Sequence, residues 1–123
     1  MTIFEILEKL KNVNPEARVY FDFCNCFPTT VNSWRGIYAE PAIGWSSRRI
    51  SGDEPQTVER FVNRLEEAIS GTIFQGYKGG DYTFRGNQEL HVDNWGEYSR
   101  TSIKEIKIDT FVLLVTEDNS EYA

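Results

Sequence analysis

The chain has 123 residues, 40% of them hydrophobic, with 13 basic and 19 acidic side chains and a net charge of −6. That length and apolar fraction suit one two-layer core, and so a single domain over residues 1–123, while no stretch reaches the ~18 to 20 apolar residues of a membrane helix. The acidic balance excludes a coat on duplex nucleic acid, which needs a basic face, but a small anion needs only a few local arginines or amides.

Met1-Thr2-Ile3-Phe4-Glu5 lacks the basic and apolar regions of a signal peptide, which predicts a cytoplasmic protein. Thr2 followed by Glu5 forms a capping-box pattern, and Ile3, Phe4, Ile6, Leu7 and Leu10 make an apolar stripe. The first helix therefore runs from about Ile3 to Asn12, with Asn14-Pro15 stopping it. Arg18 to Phe23 is β-branched and aromatic, and reads as a central strand closed by Pro28. Cys24 and Cys26 are the only cysteines and His91 the only histidine, too few for a standard zinc set, so no metal is expected and the thiols read as reduced.

Thr30 to Gly36 reads as a short strand running into a turn, with Ala42-Ile43-Gly44-Trp45 as its neighbour. Trp34, Arg35 and Tyr38 lie between them, and Arg48 and Arg49 follow. With Arg100, these arginines sit in predicted loops or strand ends, where they are candidates for anion contact. After the turn Ser51 to Pro55, Thr57 caps a second helix whose Val58, Phe61, Val62, Leu65, Ala68 and Ile69 share one face, with Gly71 ending it.

Gly71 to Thr101 holds six of the nine glycines together with Phe74, Tyr77, Tyr82, Phe84, Trp95 and Tyr98. Glycines permit tight turns and close backbone approach, and aromatic planes stack bases, so this stretch reads as a binding surface on loops between short strands. Extended pieces are expected near Asp81 to Phe84, Glu89 to Asp93 and Thr101 to Val115, followed by a frayed polar tail. Two helices and five or six strands without βαβ alternation predict an α+β fold: a two-layer, mainly antiparallel sheet with two helices on one face.

No catalytic residue emerges. His91, in Leu90-His91-Val92, has no nucleophile motif beside it and reads as packed or hydrogen-bonded, and Gly76 to Gly80 lacks a Walker ending. No cofactor is expected. The glycine-rich turn can offer backbone amides to an anion, with Tyr77, Asn94, Trp95 and Arg100 supplying planes and polar donors.

Three motifs occur in order: Trp34-Arg35-Gly36-x-Tyr38 with Ala42-Ile43; Phe74-x-Gly76-Tyr77-Lys78-Gly79-Gly80-x-Tyr82; and Val92-x-Asn94-Trp95-Gly96-Glu97 with Thr101-x-Ile103. With Asn14-Pro15-Glu16-Ala17-x-Val19, they make the chain similar to the first-described Thoeris anti-defence proteins of phages and prophages. That resemblance implies a non-enzymatic sponge, acting in the host cytoplasm, that sequesters glycocyclic ADP-ribose signals made by a bacterial TIR-domain protein. It also implies a homodimer or higher homo-oligomer and further sites for cyclic oligonucleotides. Within the motifs it assigns ligand contact to Trp34, Arg35, Tyr38, Phe74, Tyr77, Asn94, Trp95 and Thr101; Arg48, Arg49 and Arg100 are added from charge placement. Two other readings stay open, a small acidic inhibitor that binds a host protein directly and a nucleotide hydrolase.

Overall fold

The computed structural model describes residues 1–34, 39–75, 80–93 and 101–118. Helix α1 (Ile3–Leu10) begins where its capping box dictates. Thr2 Oγ1 accepts from the Glu5 amide at 3.2 Å and Glu5 Oε1 accepts from the Thr2 amide at 3.0 Å. A cap of this kind contributes about 1 kcal/mol. Ile3, Ile6 and Leu10 face the core, whereas Phe4 stays mostly exposed above Gly86.

Eight strands follow among the described residues: β1 (Val19–Phe21), β2 (Phe27–Ser33), β3 (Pro41–Ser46), β4 (Phe74–Gln75), β5 (Asp81–Tyr82), β6 (His91–Val92), β7 (Thr101–Ile108) and β8 (Val112–Asp118). The one-turn helix α2 (Arg48–Ser51) and helix α3 (Val58–Ala68) lie between β3 and β4. Six strands form one sheet in the order β1-β8-β7-β6-β3-β2, and β4 and β5 make a separate hairpin. The α+β class holds, with α1 and α3 in contact and packed into one cluster with the inward residues of the sheet.

The sheet is mixed rather than simply antiparallel, because β1 runs parallel to β8 and β3 parallel to β6. Its two outermost strands are consecutive in sequence, and the Phe21 amide donates to the Cys26 carbonyl at 2.9 Å. The sheet therefore curls until its edges meet across residues 22–26. Cys24 and Asn25 turn that corner with φ of 54° and 53°; Cys24 is exposed, Cys26 is buried, and burial raises the Cys26 thiol pKa.

Four expectations need correction. β1 ends the strand order instead of occupying its centre; the segment leading into α3 covers it, with the Val19 amide donating to the Gln56 carbonyl and the Val58 amide to that of Ala17. Pro28 does not end a strand but lies within β2, beside a register shift, where an outer strand tolerates a missing amide. Thr101 to Val115 is not one strand but part of a hairpin turning at 109–111, which leaves Ile108 about half exposed. Arg48 and Arg49 belong to α2, a turn capped by the Ser47 hydroxyl, rather than to a loop.

Candidate binding site

Trp34 follows the last residue of β2, and its amide donates to the Glu40 carbonyl at 2.8 Å, closing the base of segment 35–38. Its indole is buried and lies flat on the His91 imidazole, with ring centroids 4.0 Å apart and planes 8° from parallel. His91 reaches this position because β6 pairs with β3 in the register Ala42↔His91. Its Nε2 meets Glu40 Oε2 at 2.6 Å. An ionised carboxylate can only accept, so this nitrogen carries the proton and donates. Nδ1 is buried and has no hydrogen-bond partner among the described residues.

The same place anchors a second segment. Trp45 Nε1 donates to the Asp93 carbonyl at 2.9 Å and the Asp93 amide donates to Ile43 O at 2.9 Å, fixing the residue before 94–100. Phe21, Phe23 and Trp45 support that anchor as a row of rings, with centroid spacings of 4.9 and 5.7 Å. Thr101, half-buried, resumes the chain at the start of β7, one residue from Ser102, which pairs with His91. The ends of two motif segments, 35–38 and 94–100, are thus held within two residues of the Trp34, Glu40 and His91 group.

The other predicted contacts divide. Phe74 is half-buried in β4 and packs on Phe84 with centroids 4.7 Å apart, so its ring serves the core side of the hairpin that lies against β2. Arg48 pairs with Glu54, which holds its guanidinium pKa above the usual value, and Arg49 is exposed. Both follow the far end of β3; at ~3.3 Å per residue, that six-residue strand sets them about 20 Å from Trp34. They do not join the Trp34 group. Arg35, Tyr38, Tyr77, Asn94, Trp95 and Arg100 lie outside the described residues.

His91 is packed and hydrogen-bonded, as its sequence context suggests, but sequence reasoning missed Glu40 and Trp34 as its partners. The signal was weak, since Glu40 and His91 are 51 residues apart and meet only through the parallel β3 and β6 pairing. Among the described residues, no three His, Cys, Asp or Glu side chains gather into a metal-binding group. No helix there is long and apolar enough to cross a membrane. Comparison with protein-family models, curated proteins and solved structures gives no match.

Proposed function

We propose that this chain is a phage-type anti-defence sponge that binds a glycocyclic ADP-ribose signal and holds it intact in the host cytoplasm. The observation that carries this reading is that the described residues next to two of the three motif segments are held: Trp34 and Glu40 by each other and by His91, and Asp93 by Trp45 and Ile43. A sponge needs affinity without chemistry, and a rigid base under its binding segments lowers the ordering cost of capture. The imidazole is stacked on one ring and bonded through Nε2, an arrangement that suits support better than proton transfer. Ligand contact falls to residues of the three motifs, Asn94 and Trp95 foremost, and ligand pockets shared between copies in a homo-oligomer complete the proposal.

To test it, purified protein is mixed with a glycocyclic ADP-ribose isomer, freed of unbound ligand, heat-denatured, and the released molecule is identified. Intact ligand is expected, with retention falling in a folded Asn94→Ala variant. An altered nucleotide would make the protein a hydrolase, and no retention would overturn the proposal. Direct inhibition of a host protein is a second reading, favoured by the exposed Phe4, Ile50, Ile73, Ile108 and Phe111.

A further inference from the structure

Three arginines that the sequence scatters come together at the start of α3. Arg18 adjoins β1, and an isolated bridge pairs it with Thr57, the residue that caps α3. Arg60 and Arg64 stand one turn apart on the same side of that helix. All three line a cleft of about 430 Å³ whose floor includes Phe27, Pro28 and Thr29.

Two of the guanidiniums are held in place. Arg18 Nη1 donates to the Pro55 carbonyl at 2.6 Å, and Arg64 Nε donates to Gln56 Oε1 at 3.0 Å. Gln56 is itself buried, with its Nε2 donating to the carbonyls of Pro28 at 2.9 Å and Thr29 at 3.1 Å. Arg60 makes no side-chain hydrogen bond, and none of the three arginines forms an ion pair among the described residues. Asp53 and Glu54 also line the cleft, but Glu54 is engaged by Arg48. A chain of net charge −6 thus gathers three of its eight arginines on one concave surface, with no ion pair to them among the described residues.

We propose that this cleft is a binding site for a phosphoryl group, separate from the Trp34 group and independent of the function proposed for it. A guanidinium offers five donors in a planar fork, so among the described residues Arg18 and Arg64 keep N–H groups beyond their protein contacts, and Arg60 keeps all of its own. A tetrahedral dianion matches such convergent forks with charge-assisted hydrogen bonds. The adjoining cleft of about 720 Å³ shares Phe27 and Pro55 with this one and is walled by Tyr20, Phe111 and Leu113, giving the organic part of a phosphate ester an apolar place to lie.

Calorimetric titration of the full chain with inorganic phosphate, pyrophosphate and adenosine monophosphate tests the site. Arg60→Gln should weaken binding about tenfold, the loss of one charge-assisted hydrogen bond, without altering thermal melting. Arg64→Lys, which keeps the charge and loses the fork, should also weaken it. Arg85→Gln removes the same charge at an exposed position outside the cleft and should leave affinity within about twofold. Tighter binding of the nucleotide than of both inorganic ions, lost in Phe111→Ala, would identify a phosphate ester as the ligand; equal affinities would identify the free anion. No binding of any of the three, or equal losses in Arg60→Gln and Arg85→Gln, would overturn the proposal.

Discussion

Replacing His91 with Ala should destabilise the protein more than replacing Glu40 with Ala, and the structure sets both magnitudes. The Glu40 to His91 bond is charge-assisted, a class worth about 1.5 to 3 kcal/mol; with the Glu40 side chain 34% exposed, the lower part of that range, about 1.5 to 2, applies. Stacking on Trp34 adds about 0.5 to 1.5 kcal/mol. Glu40→Ala loses only the bond, so it should cost about 1.5 to 2 kcal/mol, whereas His91→Ala loses both and should cost about 2 to 3.5. His91→Phe keeps a ring against Trp34 and should fall near Glu40→Ala. Urea denaturation of the single variants and of the Glu40→Ala/His91→Ala double variant gives the coupling energy. A coupling below about 0.5 kcal/mol, or His91→Phe as damaging as His91→Ala, would refute the assignment of separate bond and stacking contributions.

Three further outcomes are expected. Gln56→Leu leaves the Pro28 and Thr29 carbonyls without their buried donor and should cost about 2 to 4 kcal/mol in urea denaturation; a loss under about 1 would mean that water replaces the amide. Gly44→Ala places a methyl 2.6 Å from Thr29 Oγ1 and 3.3 Å from the Thr30 carbonyl, so about 1 to 2 kcal/mol should be lost and partly restored by Thr29→Ala, with no restoration locating the clash elsewhere. The Glu5 carboxylate accepts from the Thr2 backbone amide, and this bond first, then that with the Thr2 side chain, lowers the Glu5 pKa, so its stabilisation is present above the ordinary carboxylate range and lost as pH falls through the lowered value. Thermal melts across acidic pH should therefore slope less in Glu5→Gln than in the native chain, and identical slopes would remove Glu5 from the acid response.

Local signals were legible where one stretch contained its own partner. The Thr2 and Glu5 cap located α1, and the Val58, Phe61, Leu65, Ala68 stripe located α3, because capping and helical periodicity act within a few residues. Ala42 to Trp45 is legible as the neighbour of the preceding strand because only a short stretch of sequence separates the two, and they pair antiparallel. What escaped reading depends on distant pairing. Nothing local in Leu90-His91-Val92 reveals that β6 lies parallel to β3, and without that register Glu40 and Trp34 have no claim on His91. The arginines illustrate the same limit: attention to predicted loops selected Arg48 and Arg49, whereas bonds between residues 17–19 and 56–58 bring Arg18 beside helical Arg60 and Arg64.

The acidic balance and the arginine cleft are compatible because they act over different lengths. At physiological salt, exposed charges are screened beyond about 8 Å, so the net charge of −6 weighs little on an anion already touching Arg18, Arg60 and Arg64. A polymer has no such shelter. Its phosphates recur every few ångströms, so strong binding would need further basic side chains along its path, each releasing counterions. Local arginine clustering within an acidic chain therefore suits the compact phosphorylated ligand proposed for the cleft, whereas a nucleic acid strand would need a longer basic track. The net charge that argues against a duplex coat is thus no obstacle to the small anionic ligand proposed for the cleft.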